Sequence, residues 1–119
     1  MGGLWRWHEL LPVRQWEFVA HMGEGSTPLE PVRRLGSLLG LSNLLLKRES
    51  INPTGSFKAR GMAVAVSRAV ELGARHLVTP SAGNAGGALA AYAAAGTTDN
   101  LKRQPRPAKP EDVVAWLTR

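Results

Sequence analysis

Two short segments of the chain carry residue types that could do chemistry. The first is Asn52–Lys58, with the sequence NPTGSFK. Ser56 can cap a helix there, which would place Lys58 in the first helical turn. The positive partial charge of a helix N-terminus disfavours an ammonium group, and an uncharged amine is the form that bonds to carbonyl compounds. The segment therefore predicts a reactive lysine, and the alternative is a solvated lysine near a helix start.

The second segment is Ser81–Gly87, with the sequence SAGNAGG. Backbone amides of small residues at a helix start can bind an anion such as a carboxylate or a phosphate. The spacing is neither that of a dinucleotide-binding G-x-G-x-x-G motif nor that of a P-loop. The segment therefore predicts an anion-binding loop, and the alternative is a tight helix start whose glycines serve packing.

Both segments lie between elements that would position them. The predicted elements are strands Leu44–Leu46 and His76–Thr79 and helices Ser56–Leu72 and Asn84–Ala95. This alternation predicts an α/β fold with a parallel βαβα core and a right-handed crossover. Ligands in such folds bind beyond the carboxyl ends of the strands, so Lys58 and Asn84 are expected to converge on one crevice.

Composition divides the chain into three stretches. Residues 1–24 form a Trp-rich lead-in that we expect to be partly helical and packed on the rest. Residues 25–96 contain the two segments and their elements, and residues 97–119 form a basic, Pro-rich tail. With three prolines and few apolar residues, the tail is expected to be the least ordered part.

Charge and composition exclude several function classes. The net charge is +6, but no run of Lys and Arg exceeds two residues, so only the net charge favours a nucleic-acid-binding domain. A basic surface also suits a phosphorylated small molecule. The chain has no cysteine, and we predict no metal site. No signal peptide or membrane span is expected, which predicts a cytoplasmic protein without a membrane partner.

Four motifs together resemble threonine synthase, a pyridoxal-phosphate enzyme of the tryptophan-synthase-β fold type, also called fold type II. They are Gly23–Leu29 (GEGSTPL), Lys47–Glu49 (KRE), Asn52–Gly61 (NPTGSFKARG) and Ser81–Gly86 (SAGNAG). Their order and spacing make the resemblance specific, and it covers Leu4 to Gly96. It implies a partial fold of this type with a helical lead-in.

The resemblance also implies roles for single residues. Lys58 matches the lysine that bonds the cofactor covalently and then moves protons on the substrate carbons. Phe57 matches the residue that flanks the cofactor ring, and Asn84 matches the asparagine that donates a hydrogen bond to the cofactor's phenolate oxygen. The residues that match the family's substrate-carboxylate loop are Ser81, Ala82 and Gly83.

The implied reaction converts O-phosphohomoserine and water to threonine and phosphate, which makes the enzyme a carbon–oxygen lyase. Serine/threonine dehydratases and cysteine synthases share the lysine and asparagine pattern, and they remain the alternative. The GEGSTPL and FKARG segments favour threonine synthase. The family also implies a homodimer for the full-length protein.

The chain departs from the family after Gly96. A basic tail stands where the family continues with another strand, and the family's Gly-rich loop for the cofactor phosphate has no counterpart. We therefore expect the amino-terminal part of a threonine synthase that is inactive alone. A non-catalytic remnant or binding module is the competing hypothesis.

Overall fold

A computed structural model describes residues 2–81 and 83–101 of the chain, with side chains as far as residue 96. Ala82 and most of the predicted tail therefore lie outside the described residues. The regular elements are strands β1 (Leu29–Pro31) and β2 (Leu45–Lys47), helices α1 (Arg33–Leu39), α2 (Lys58–Glu71) and α3 (Asn84–Leu101), and 3-10 helices at Gly3–Leu10, Trp16–Phe18, Glu49–Ile51 and Pro53–Gly55.

Helices α2 and α3 form the packed centre of the molecule. The buried residues that line their contact are Ala59, Ala63, Val66, Leu89 and Tyr92. Alanines at this contact let the two helix backbones approach closely, and Tyr92 fills the remaining space. The bounds of α2 agree with the predicted helix Ser56–Leu72 to within two residues at each end.

Helix α3 is longer than predicted. It starts at Asn84 as expected but continues to Leu101, whereas Gly96 was expected to end it. A Cβ added at Gly96 would lie 3.5 Å from the Cβ of Ala20 and 3.6 Å from Cγ1 of Val66. These are ordinary van der Waals distances, so an alanine would fit at this position, and the glycine lowers the helix propensity without ending the helix.

Helices α2 and α3 run in the same direction. Gly96 lies beside Val66, in the second half of α2. One turn earlier, the Tyr92 hydroxyl binds Glu24, and the neighbouring Gly25 binds Asn52, which precedes α2. Helix α3 also packs against the 3-10 turn Pro53–Gly55. The N-termini of the two helices therefore lie on the same side of the molecule.

The sheet differs from the predicted one. β1 pairs with β2 in antiparallel fashion, with Leu29 opposite Lys47 and Pro31 opposite Leu45. Residues 76–79 form no strand, so the predicted parallel pairing of Leu44–Leu46 with His76–Thr79 is wrong for the described part of the chain. A parallel strand needs paired neighbours and helices over both faces. Leu45 is 50% exposed here, and β2 instead pairs with the nearest segment in sequence.

The Trp-rich lead-in is predicted to pack on the rest of the chain, and only part of it does so. Trp5 is buried, and Val13 and Ala20 join it in the hydrophobic core. Trp7 is exposed, with its ring 4.9 Å from the Arg6 guanidinium. These three residues are the part of the lead-in that is buried in the hydrophobic core.

Candidate active site

Lys58 is the first residue of α2, and its side chain is exposed. The Lys58 backbone N–H donates to Oγ of Ser56 at 3.2 Å, which is the predicted cap. The Lys58 ammonium lies 4.8 Å from the centroid of the Phe57 ring. In the described residues no carboxylate lies within ion-pair distance of it. The amine is therefore accessible and has an aromatic ring beside it.

The segment that carries this amine, which we call the lysine loop (Asn52–Lys58), is fastened by a buried asparagine. Oδ1 of Asn52 accepts the backbone N–H of Gly25 at 3.0 Å. Nδ2 of Asn52 donates at 2.9 Å to the backbone oxygen of Glu49 and at 2.9 Å to its Oε2. Asn52 is 4% exposed, so these bonds form away from water. They fix the start of the loop against the GEGSTPL segment.

The middle of the lysine loop has an unusual backbone. Thr54 has φ of +64° and Gly55 has φ of +70°, both in the left-handed region. A β-branched residue rarely adopts that region, because its branched side chain crowds the backbone. Such a conformation persists where the surroundings determine it, and the Gly55 N–H bond to the Asn52 oxygen at 2.9 Å is one such constraint.

An ion pair lies next to the loop. Nε of Arg60 donates to Oε2 of Glu49 at 2.8 Å, and Nη2 donates to Oε1 at 2.9 Å, so the guanidinium binds the carboxylate through two hydrogen bonds. Nη2 also donates to the Thr27 hydroxyl at 3.1 Å, and that hydroxyl donates to Glu49. The bonds from Arg60 and then Thr27 lower the pKa of Glu49 to about 2.

A buried carboxylate, that of Glu24, ties the lead-in to α3. It accepts hydrogen bonds from the Trp5 indole, the Met22 backbone N–H and the Tyr92 hydroxyl, and it contacts Nδ1 of His21 at 2.9 Å. Burial alone would raise the pKa of Glu24, but the bonds from His21, Met22 and Tyr92 outweigh it and hold that pKa below its usual value. Burial and the carboxylate also raise the pKa of Tyr92.

The second predicted segment is held by local bonds. We call residues 81–84, between the extended chain and α3, the glycine loop. Oγ of Ser81 accepts the Gly83 N–H at 3.2 Å, and the Ser81 N–H donates to the Thr79 oxygen at 2.9 Å. Gly83 and Asn84 are exposed, and nothing lies within 4 Å of a Cβ built on Gly83. The space over the glycine loop is therefore open to a ligand.

The structure brings some predicted site residues together. Phe57 lies beside Lys58, and Ser81 bonds to Gly83. Within the described residues, no hydrogen bond joins Lys58 to Asn84; each is the first residue of its helix, at the same side of the molecule. Their convergence on one crevice stays a prediction.

Sequence reasoning missed the residues that hold the lysine loop. Arg60, Asn52 and Glu24 lie within the sequence motifs, but the motifs alone indicate no role for them; in the structure the charge of Arg60 is paired with Glu49. A polar residue before a Pro and a Glu between two glycines were the available signals.

The donor set suits a pyridoxal phosphate on one side. An accessible amine can bond its aldehyde, the Phe57 ring can lie against its ring, and an amide at a helix start can donate to its oxygen. The open space above Gly83 leaves room for an anion beside the first amides of α3. Lys58, Phe57 and Asn84 therefore fit the predicted cofactor.

The described ranges contain neither a metal site nor a membrane-spanning helix. No group of His, Asp and Glu side chains there is arranged to hold a metal ion. No helix there is long and apolar enough to cross a membrane.

Comparison with known proteins finds one family and several relatives. The family model for pyridoxal-phosphate dependent enzymes matches residues 20–98. Threonine synthase of Methanocaldococcus jannaschii is 47% identical over 92 residues, which cover 77% of this chain and 23% of that protein. Threonine synthase of Methanosarcina acetivorans is 44% identical over 91 residues, 76% of this chain and 22% of that protein.

A third relative is similar to the same extent. Threonine synthase of Halalkalibacterium halodurans is 44% identical over 93 residues, 78% of this chain and 26% of that protein. The chain thus spans about a quarter of the length of these curated relatives. The predicted resemblance to threonine synthase and the predicted cofactor class are confirmed at the level of the family. With its match over residues 20–98, the chain belongs to the pyridoxal-phosphate-dependent enzymes, as an α/β fragment of that fold.

Proposed function

We propose that the chain supplies the lysine-bearing part of a threonine synthase, which converts O-phosphohomoserine and water to threonine and phosphate. The observation that carries the proposal is the state of Lys58. Its amine is exposed, stands free of carboxylates among the described residues and begins a helix directly after a fastened loop. The relatives named threonine synthase support this substrate over that of a dehydratase or a cysteine synthase.

Each predicted site residue has a proposed task. Nζ of Lys58 bonds the cofactor and later carries a proton to and from the substrate carbons. Phe57 flanks the cofactor ring, and Asn84 donates to its phenolate oxygen. The substrate carboxylate is held by Ser81, Ala82 and Gly83. When bound, the cofactor supplies an electron sink for negative charge on the substrate carbons.

The wider setting of the function is also a proposal. The substrate is a small phosphorylated amino acid, for which a net charge of +6 is favourable. We propose a cytoplasmic location, no nucleic-acid partner and, for full-length members of the family, a homodimer. Because the chain spans about a quarter of the length of its relatives, we expect it to capture the cofactor weakly and to form no measurable threonine by itself.

The test compares the chain with Lys58→Ala in pyridoxal phosphate. We expect a strong visible absorbance band with the parent chain and a much weaker one with Lys58→Ala, in which other amines such as that of Lys47 remain. We also expect no phosphate release from O-phosphohomoserine. A band of equal strength in Lys58→Ala would overturn the lysine assignment. Rapid turnover by the isolated chain would overturn the expectation that it is incomplete.

A second variant tests the glycine loop. Asn84→Ala should weaken cofactor binding by roughly 1.5–3 kcal/mol, the size of one hydrogen bond to a charged group. Asn84 is exposed, so its removal should leave the thermal unfolding midpoint unchanged. Unchanged cofactor affinity in Asn84→Ala would contradict the role given to this residue.

A further inference from the structure

We propose that Arg60 is a positioning residue for Lys58, acting through Glu49, and that it does not contact the cofactor phosphate. The inference rests on the proposed function, since it concerns how the cofactor-binding amine is held. The observations behind it are the two hydrogen bonds that Arg60 donates to the Glu49 carboxylate and the hydrogen bond that Nδ2 of Asn52 donates to the same carboxylate.

The geometry separates the two side chains on α2. Successive residues of an α-helix are about 100° apart, so residues two apart point to opposite faces. Arg60 points to the side where Glu49 and Thr27 lie, and Lys58 points to solvent. Arg60 can therefore hold the first turn of α2 from one face of the helix, while the Lys58 amine stays accessible on the opposite face.

The bonds form a continuous path from Arg60 to the start of the lysine loop. Arg60 binds both carboxylate oxygens of Glu49, and Oε2 of Glu49 accepts from Nδ2 of Asn52 at 2.9 Å. Asn52 then binds the Gly25 backbone. The first residue of the lysine loop, Asn52, and Arg60, two residues after its end, are thus attached to one carboxylate.

The positive charge of Arg60 is already paired with a carboxylate. Its guanidinium faces the Glu49 carboxylate at 2.8 Å, and the bonds between them raise the pKa of Arg60. An anionic phosphate approaching this site would meet a paired cation and a carboxylate. A cation kept to bind phosphate would lack such a partner, so the pairing favours a positioning role.

The physical consequence concerns order before binding. A loop that is already fixed does not lose backbone freedom when the amine bonds its partner, whereas a released loop must be ordered residue by residue as it binds. Releasing one or two residues should therefore reduce capture by about tenfold.

The experiment maps which lysine reacts. The chain is incubated with pyridoxal phosphate or with pyridoxal, which has no phosphate, the adducts are reduced with borohydride, and labelling of Lys58 and Lys47 is measured by peptide mass spectrometry. Lys47 is an internal reference, since its amine donates to the Thr27 backbone oxygen. The variants are Arg60→Gln, Arg60→Lys and Glu49→Gln, and Arg48→Gln is the matched control, because Arg48 pairs with Glu30, away from the Glu49 carboxylate.

A positioning role predicts a particular pattern. Arg60→Gln and Glu49→Gln should each lower the ratio of Lys58 to Lys47 labelling by about tenfold, equally with both aldehydes. Arg60→Lys should recover little of the loss, because an ammonium cannot grip both carboxylate oxygens. Arg48→Gln should leave the ratio unchanged.

A phosphate-binding role predicts the opposite sign at Glu49. Glu49→Gln would free the Arg60 charge and raise labelling by pyridoxal phosphate, and Arg60→Gln would lower labelling by pyridoxal phosphate alone. Either result overturns the proposal, and so does an unchanged ratio in a folded Arg60→Gln. A variant that unfolds shows it by circular dichroism, and the Glu49→Gln result then decides. If the parent chain labels Lys58 no better than Lys47, the proposed function itself fails.

Discussion

The lysine loop and the glycine loop begin neighbouring helices, yet they are held by different means. The lysine loop is tied at its start to the distant Gly25 through the buried Asn52, and just after its end Arg60 binds Glu49 and the distant Thr27. The bonds described for the glycine loop join Ser81 only to its near neighbours Thr79 and Gly83.

The difference shows which of the two loops is fixed before a ligand binds. A covalent bond to a cofactor needs the amine at one place, and fixing that place in advance lowers the entropy lost on binding. The bonds described for the glycine loop do not fix it in this way. Three substitutions and a change of pH test this difference.

Removing the buried carboxylate of Glu24 should have the largest effect. Glu24→Ala leaves the Trp5 indole N–H and the Tyr92 hydroxyl buried without their acceptor. Each buried donor without an acceptor costs about 1–3 kcal/mol of stability. We expect the free energy of unfolding to fall by about 3 kcal/mol or more. Urea denaturation measures it, with Glu30→Ala as control, since the Glu30 side chain is only partly buried. A loss in Glu24→Ala no larger than in Glu30→Ala would refute the role of this centre.

Removing the Asn52 side chain should have the next largest effect. Asn52→Ala leaves the Gly25 N–H without its acceptor and releases the start of the lysine loop, so we expect a loss of about 1–3 kcal/mol. Asn43 is exposed, and Asn43→Ala is its matched control. Equal denaturation midpoints for the two variants would show that the lysine loop is not fastened as described.

Acid should release the lysine loop over a defined range of pH. The pKa of Glu49 is about 2 in the folded chain, below the ordinary carboxyl value of 4.5. A lowered folded pKa means that the stabilisation is complete above the unfolded value and is lost as the pH falls from there towards 2. Denaturation at several pH values should show this loss in the parent chain and less of it in Glu49→Gln. Identical pH profiles would contradict the Arg60–Glu49 pair.

Removing the Ser81 hydroxyl should have the smallest effect. Its bond to the Gly83 N–H is local and exposed, so Ser81→Ala should change the free energy of unfolding by less than about 0.5 kcal/mol. Ser56 is buried and caps Lys58, so Ser56→Ala should cost about 1 kcal/mol. A larger loss for Ser81→Ala than for Ser56→Ala would reverse the contrast between the loops.

The sequence predicted local features of the molecule well. Ser56 caps Lys58 as expected, Phe57 lies beside it, and α3 starts at Asn84. Each depends on residues within a turn of one another, where capping and helix propensity act directly. The family resemblance was carried by motifs of this local kind.

Features that depend on distant contacts were not predictable in the same way. A run of three leucines is consistent with a buried parallel strand, but β2 is exposed and pairs with β1. The path from Arg60 through Glu49 to Asn52 forms only because two 3-10 turns bring these residues together. Periodicity carries no signal for such contacts, so the residues that hold the site were found only in the structure.

Amide hydrogen exchange of the chain without cofactor tests the contrast most directly. The Gly25 N–H is bonded to the buried Asn52 and the Gly55 N–H to the Asn52 backbone, whereas the exposed Gly83 N–H is bonded to Ser81. We predict that the Gly25 amide exchanges at least about 100-fold more slowly than the Gly83 amide, relative to their unstructured rates, and that the Gly55 amide, which is exposed like Gly83, is also the slower of the two. Equal protection of the three amides would contradict the claim that the lysine loop is fixed before the cofactor binds.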